Sequence, residues 1–212
     1  MRKSVLVALA VAMVVALGAT AAVVGSEGQP AAKATAKVGY VNILDYPVDM
    51  AWTPILDNTI KTGGQKDLFI DVSLECGLYT LTKVKSKGNE QDTSTANAVV
   101  KVRVWVDDEL AYPGEVVFCS REQKLTAEFA GYLDGDTVVN ETLELILDTM
   151  TANSFNFIKD DLDSGEHEVV VEAMIDVSEA VADKTEAKAT IGNGSVTIEE
   201  VRMIQDEDIL LE

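Results

Sequence analysis

Alternation of apolar and polar side chains with a period of two dominates most of this sequence. In the stretch from 67 to 79, DLFIDVSLECGLY, every second residue from Leu68 to Leu78 is apolar or cysteine, and the intervening residues include Asp71 and Glu75. Successive side chains of a β-strand point to opposite faces of the sheet, so this period predicts strands with one buried and one solvated face. We therefore expect an all-β fold with antiparallel strands.

Further segments repeat the pattern along the chain. They are NAVVKVRVWVD (97 to 107), QKLTAEFAGYL (123 to 133), HEVVVEAMIDV (167 to 177) and SVTIEEVRMI (195 to 204). Clusters rich in Gly, Asp and Pro, such as TGGQ, YPGE, LDGD and LDSGE, separate these segments and are typical of turns. Many short strands joined by such turns predict an antiparallel two-sheet sandwich of jelly-roll or immunoglobulin-like type.

One segment, NETLELILDTM (140 to 150), has the period of a helix. Its apolar residues recur at positions i, i+3, i+4 and i+7, namely Leu143, Ile146, Leu147 and Met150. This spacing places them on one helical face. Asn140 precedes the run and suits an N-cap. The sequence thus predicts one short amphipathic helix, closing one end of the sandwich.

The first 25 residues have the composition of a secretory signal peptide. Arg2 and Lys3 precede an apolar run that ends in small residues, as a cleavage site requires. The alternative is an uncleaved anchor, because the run from Val5 to Gly25 is about 20 residues long. In both cases the rest of the chain is expected outside the cytoplasm, and a cleaved chain would not span the membrane.

The remaining chain divides into three parts. Residues 26 to 37, SEGQPAAKATAK, lack large apolar side chains and are expected to form a flexible tether. Residues 38 to 50 form an apolar strand segment, and residues 51 to 212 form the sandwich domain. The strand segment either pairs within its own domain or is donated to a neighbouring molecule, which would give self-association. In the second case the pocket-filling side chains would be Val41, Ile43 and Tyr46.

Charge and motif content exclude several classes of function. Acidic residues outnumber basic ones by 36 to 17, for a formal net charge of −19. A surface this negative repels phosphate backbones, so no nucleic-acid partner is expected. None of the motifs G-x-S-x-G, H-E-x-x-H and G-x-G-x-x-G occurs. We therefore expect no enzymatic activity and no cofactor apart from calcium.

Cys76 and Cys119 are the only cysteines. An even number in an exported chain favours a disulfide, which would stabilise the fold by about 4 kcal/mol through loop-closure entropy. The alternatives are two free buried thiols or a nucleophilic thiolate. A thiolate nucleophile requires an activating base, and His167 is the only histidine. His167 itself is expected to be an ordinary residue at the edge of a strand.

Two acidic stretches, LDGDTVVNE (133 to 141) and KDDLDSGE (159 to 166), are candidate calcium sites. Calcium binds six to eight oxygen ligands, which closely spaced carboxylates supply. The candidate ligands are Asp134, Asp136, Asp160, Asp161 and Asp163. Neither stretch matches the twelve-residue calcium loop, so solvated turns in an acidic protein are the alternative.

Two triplets, NET at Asn140 and NGS at Asn193, are acceptor sequences for N-linked sugar. Asn193 lies in a predicted turn between glycines and is the more accessible. Asn140 also serves as the predicted helix cap, and the two roles compete.

Aromatic side chains suggest a surface for stacking a sugar ring. Trp105 has the parity opposite to the valines of its strand, and Tyr112 follows in the next turn. Trp52 is a third member of this candidate platform. The alternative is that these rings pack beneath other parts of the chain.

Four blocks together carry a resemblance: QKDLFIDVSLECGLYT, AYPGEVVFCSR, LELILDTMTANSFNFI and AKATIGNGSVTIEEVRMI. They resemble an uncharacterised family of secreted β-sandwich proteins without an assigned activity. The resemblance implies a secreted sandwich and no catalytic residues. The sequence therefore favours a structural or assembly protein, such as a subunit of an extracellular filament or surface layer. The alternative is an extracellular module that binds carbohydrate or calcium.

Overall fold

The computed structural model describes residues 33–40, 51–85, 91–128, 133–134, 137–138, 141–179 and 184–203. These residues form nine β-strands and no helix. The strands are β1 (Ala34–Tyr40), β2 (Thr53–Lys85), β3 (Gln91–Val106), β4 (Glu109–Leu110), β5 (Val116–Glu128), β6 (Leu133–Asp134), β7 (Thr137–Val138), β8 (Thr142–Glu179) and β9 (Thr185–Val201). Among the described residues, no helix offers the length and apolarity needed to cross a membrane.

The chain divides into two units, Met1–Ala32 and Lys33–Glu212. The first lies outside the described residues, and with it the predicted signal peptide and most of the predicted tether. All nine strands belong to the second unit.

Seven strands form one antiparallel sheet. Their order is β1-β9-β2-β8-β3-β4, with β5 also pairing with β3, while β6 and β7 form a separate pair. β2 and β8 are the long central strands, paired from Lys85–Thr142 at one end to Thr53–Ala173 at the other. The two separate sheets of the predicted sandwich are not observed in the described residues. Because β2 and β8 run continuously through both halves, no break divides the hydrogen-bonded sheet.

β2 and β8 bend together near their middle. Their register shifts between Gly63 and Lys66. Gly64, Gln65 and Asp161 have positive φ angles of 89°, 45° and 53°, a conformation that glycine adopts at little cost. The turn predicted here is therefore a bulged bend inside one long strand, not a break between two strands.

One face of the sheet is buried and carries the predicted alternation. The even-numbered residues of β2 and β3 form most of it, with β8 and β9 contributing the rest. Members that are fully buried include Leu68, Ile70, Val72, Ala98, Val100, Val102, Val104, Val106, Val169, Val171, Ala173, Val196 and Ile198. The inward parity predicted for these strands is therefore confirmed.

β5 lies over this buried face and is joined to it by polar contacts. Gln123 Nε2 donates to Thr82 Oγ1 (2.7 Å), and Thr80 Oγ1 donates to Gln123 Oε1 (2.6 Å). Gln123 Nε2 also donates to the carbonyl oxygen of Leu145 (2.8 Å). The sheet thus folds over itself, because a residue of β5 reaches β2 and β8 without belonging to their ladder.

The predicted helix is absent, and its residues belong to β8. Ile146 pairs with Leu81, and Met150 pairs with Gly77. All four apolar residues of the predicted helical face are exposed, so their spacing marks no buried stripe. As a helix, this segment would leave unpaired the backbone groups of β2 that face β8 between Gly77 and Lys85, which is unfavourable.

β1 begins inside the segment predicted to be a tether. It pairs with β9 from Ala34–Glu199 to Tyr40–Asn193, so the tether prediction is wrong for residues 34 to 37. Extended backbone supplies the hydrogen bonds that the edge of β9 requires, even where side chains are small. Val38 to Tyr40 therefore pair within their own domain. Residues 41 to 50, with Val41, Ile43 and Tyr46, lie outside the described residues.

Candidate interaction surface

Cys76 and Cys119 form a disulfide bond, as the sequence predicts. Their Cα atoms are 6.7 Å apart. Cys76 lies on the buried side of β2, whereas Cys119 of β5 is half-buried and pairs with Val100. The bond fixes β5 to the central strand, and neither sulfur remains as a free thiol.

His167 is buried, which corrects the prediction of an ordinary strand-edge residue. Its Nδ1 lies 2.5 Å from Asp107 Oδ2, and its Nε2 lies 2.9 Å from Thr62 Oγ1 and 3.0 Å from the Asp163 carbonyl oxygen. The Thr62 hydroxyl donates its proton to the same carbonyl oxygen (2.7 Å). Both imidazole nitrogens thus lie within hydrogen-bonding distance of oxygen atoms.

Asp107 belongs to the two-residue turn between β3 and β4. Asp107 and Asp108 have φ angles of 48° and 68°, as a type I′ hairpin turn requires. Burial raises the pKa of Asp107, but hydrogen bonds from His167 and the backbone N–H of Glu168 outweigh it and hold this pKa below its usual value. The cluster ties the turn to β2 and β8.

The tryptophans of the candidate stacking platform contact a cation from their own chain. The Arg103 guanidinium lies 4.1 Å from the ring centroid of Trp52 and 5.0 Å from that of Trp105. Arg103 Nε and Trp105 Nε1 both donate to Glu172 Oε2, at 2.7 and 2.8 Å. Tyr112 is exposed, but the two indole rings are already engaged in this cation–π cluster.

The predicted calcium ligands do not gather into a site within the described part of the chain. There, no group of three or more His, Cys, Asp or Glu side chains is arranged to hold a metal ion. Asp160, Asp161 and Asp163 lie along β8, and Asp161 lies at the bend with a positive φ angle. Asp134 lies in β6, and Asp136 lies outside the described residues.

Of the two acceptor asparagines for N-linked sugar, the structure describes Asn193. Asn193 is exposed, and its side-chain nitrogen donates to Glu75 Oε2 (2.9 Å). It lies in β9, opposite Tyr40, and not in the turn that the sequence predicts. Asn140 lies outside the described residues.

The first part of β8 has an outer edge without a neighbouring strand. β3 pairs with β8 only over residues 169 to 179. Ile158 exchanges N–H···O bonds of 2.8 and 3.0 Å with Tyr112, so even-numbered residues of this part direct their backbone groups away from β2. From Thr142 to Asn156, none of these groups has a strand partner among the residues described. We name this stretch the β8 edge.

Apolar side chains flank the β8 edge on both faces. Their exposed fractions range from 38% for Phe155 to 61% for Met150, and the set also includes Leu143, Leu145, Ile146 and Leu147. Residues 149 to 158 carry no charged side chain, although 25% of the chain is charged. Exposed hydrophobic residues along an unpaired strand are typical of a surface that meets another molecule.

β5 provides a contrast, because its outer edge also lacks a strand partner among the described residues. That strand carries Arg121, Glu122, Lys124 and Glu128. Charges along an edge strand discourage pairing with other chains. From Thr149 to Asn156 the β8 edge carries no charged side chain. The sequence pattern did not reveal this edge, because its apolar residues have helical spacing.

No family model and no curated protein matches the chain. Among solved structures, three from infectious bursal disease virus show a weak similarity at 7% identity. The Gx strain structure gives a TM-score of 0.20 and covers 80% of this chain and 40% of that chain. The VP2 subviral particle gives 0.20, with 85% and 43% covered, and the T13 viral particle gives 0.17, with 84% and 41% covered.

This chain thus spans less than half the length of those viral chains. TM-scores this low carry no argument about fold or function.

Proposed function

We propose that the protein is a non-enzymatic structural protein, secreted or held at the cell surface, that assembles with a neighbouring molecule through the β8 edge. The observation that carries this proposal is the run of outward backbone groups from Thr142 to Asn156, flanked by exposed apolar side chains. Such an edge gains main-chain hydrogen bonds and buries apolar surface when a strand is added to it. A subunit of a filament or surface layer is the role that fits best.

Two further features support an extracellular setting. The Cys76–Cys119 bond suits an oxidising compartment, and residues 1 to 25 have the composition of a signal peptide. The net charge of −19 favours solubility and keeps molecules apart wherever their acidic surfaces meet. The part of the β8 edge from Thr149 to Asn156 carries no charged side chain, so this repulsion is small there.

The β8 edge also replaces the N-terminal segment as the proposed means of pairing. Ala34–Tyr40 is bound to β9 of the same chain, and Lys37 Nζ lies 2.8 Å from Asp57 Oδ2 of β2. In the sequence, residues 41 to 50 lie between β1 and β2 of that domain. A donated strand usually comes from a free end, so exchange through Val41, Ile43 and Tyr46 is the less favoured route.

The test is hydrogen exchange on native protein isolated from its extracellular source, combined with mass measurement. In assembled material we expect the outward amides of Ile146, Asp148, Met150, Ala152 and Ser154 to be protected. The variant Ala152→Pro removes one outward N–H and no β2 hydrogen bond, so it should weaken assembly without unfolding the chain. Ala152→Ser keeps that N–H and is the matched control. A native monomer whose edge amides exchange freely would refute the proposal.

A further inference from the structure

Resting on the proposed function, we infer that the partner at the β8 edge is a second copy of this chain. The two β8 edges pair antiparallel about a two-fold axis at Met150. Three observations support this pairing. They are the even numbering of the residues whose backbone groups point outward, the position of the acidic residues along the edge, and the apolar side chains on its two faces.

The parity restricts the registers that two copies can adopt. Outward groups belong to even-numbered residues, so an even-numbered residue of one copy must face an even-numbered residue of the other. With the axis at Met150, seven such pairs form between Glu144 and Asn156. Each pair exchanges two bonds, which gives about 14 backbone hydrogen bonds. An axis at Thr149 uses the edge about equally well, so backbone pairing alone does not select one register.

Charge favours the axis at Met150 over the axis at Thr149. An axis at Thr149 sets the Asp148 side chains of the two copies on a diagonal, about 7–8 Å apart. An axis at Met150 separates them by four residues, or about 13 Å, and places each opposite Ala152 of the second copy. Glu144 then faces Asn156 of the second copy, and its own charge is paired with Lys83 at 2.9 Å. No acid faces another acid in this register.

The same register joins apolar side chains across the interface. Leu145 faces Phe155 of the second copy, and by symmetry the contact occurs twice. Both side chains are exposed in the single chain. They form a non-hydrogen-bonded pair, in which facing side chains come closest, and an aliphatic–aromatic pair of this kind is stabilising. Met150 packs against its symmetry mate on the opposite face.

The arrangement is closed, because each copy uses the same edge for the other. A two-fold pairing of this type leaves no free β8 edge for a third molecule. It therefore produces a dimer, which any larger extracellular assembly would use as its unit. The alternative occupants are another protein or a part of the same chain outside the described residues, and the experiment distinguishes them.

The test is disulfide trapping of the full secreted chain carrying Met150→Cys. Facing residues in a hydrogen-bonded pair have Cα atoms about 5.5 Å apart, within the range that a disulfide spans. The native cysteines are already bonded to each other, so the introduced thiol is the one free to react. Ile146→Cys is the matched control. It lies on the same face and is also exposed, but its two copies would be about 26 Å apart.

We expect mild oxidation to double the mass of the Met150→Cys chain and to leave Ile146→Cys unchanged. The unaltered chain should sediment as a dimer, and both variants should remain folded. A monomeric chain without trapping at residue 150 would overturn the inference, as would equal trapping of both variants. Stronger trapping of Thr149→Cys would overturn the axis at Met150.

These outcomes separate the inference from the proposed function. A monomeric purified chain whose β8 edge is protected in native material would exclude the second copy as partner and leave the structural role standing. A trapped dimer from a protein found in no extracellular assembly would instead refute the structural role and keep the dimer.

Discussion

His167 Nδ1 lies 2.5 Å from Asp107 Oδ2, so the short turn between β3 and β4 is tied to the middle of β8. The other ring nitrogen contacts Thr62 of β2. Three segments far apart in sequence therefore meet at one buried imidazole, and this contact links the stability of the sheet to pH.

Acid is expected to destabilise the fold in part through Asp107. Burial raises its pKa, but bonds from His167 and from the Glu168 N–H hold it below the unfolded value. The stabilisation is thus complete above about pH 5 and is lost as the pH falls through the lowered folded-state pKa, below about pH 4. Its size is below about 1 kcal/mol, because the carboxylate is partly solvated. Asp107→Asn should flatten the loss of unfolding free energy between about pH 5 and 2.

The measurement for this prediction is urea denaturation at several pH values. Asp108→Asn is the matched control, because it changes the neighbouring residue of the same turn and also has positive φ. It should keep the pH dependence of the unaltered chain. Identical pH profiles for the two variants would contradict the role of Asp107.

Replacing Gln123 is expected to leave two buried hydroxyl groups without their side-chain partner and so to destabilise the fold. Thr80 and Thr82 are fully buried, and Gln123 is the side-chain partner of both. Gln123→Leu should lower the unfolding free energy by roughly 2–4 kcal/mol, since an unsatisfied buried polar group costs about 1–3 kcal/mol. Lys124→Leu, at the adjacent exposed position, should change it by less than about 0.5 kcal/mol. Chemical denaturation at neutral pH gives both values, and equal effects would argue against the buried network.

Removing the disulfide is expected to be the most destabilising of these changes. The bond closes a loop with a sequence separation of 43, for which loop-closure entropy predicts a loss of about 4 kcal/mol. The double variant Cys76→Ala, Cys119→Ala should show this loss in denaturant, and reduction of the native protein should give a similar value. Native protein should also contain no titratable thiol. Unchanged stability after reduction would show that the bond does not constrain the unfolded chain.

Two neighbouring glycines at the bend of β2 are expected to respond differently to replacement by alanine. Gly64 has a φ angle of 89°, and an added Cβ would lie 3.3 Å from the Ser164 Cβ. Gly64→Ala should therefore cost about 1–2 kcal/mol. Gly63 has open space around the position of a Cβ, so Gly63→Ala should be near neutral. Thermal melting of both variants checks the difference, and equal melting temperatures would contradict the bend.

Much of the fold could be predicted where a strand buries one face. Leu68 to Leu78 in β2 and Ala98 to Val106 in β3 alternate because every second side chain enters the core. The disulfide followed from the even cysteine count and the expected export. Each of these signals is local or compositional, so no knowledge of strand order was required.

The β8 edge shows why the remainder could not be predicted. Leu143, Leu145, Ile146 and Leu147 lie on both faces of β8 along the β8 edge, and all are exposed. Without one buried face there is no period of two, and the helical spacing of the same residues is accidental. Pairing with β2 decides their conformation, and that partner lies far away in the sequence.

The surroundings of His167 were missed for a related reason. Asp107 comes from the turn between β3 and β4, whereas Thr62 and the Asp163 carbonyl lie beside the shared bend of β2 and β8. They converge because β3 and β2 both pair with β8 around that position. No spacing in the sequence marks such a meeting, which depends on the register of two ladders.

The central ladder also affects how the chain reaches its folded state. Lys85 pairs with Thr142 and Thr53 pairs with Ala173, so β2 is synthesised well before its partner leaves the ribosome. Pairings between distant segments are slow, because loop closure opposes them until many contacts form. During that interval the nascent polypeptide presents a long unpaired strand. That strand is prone to aggregate until β8 is available, and chaperones that delay collapse should raise the yield of folded protein.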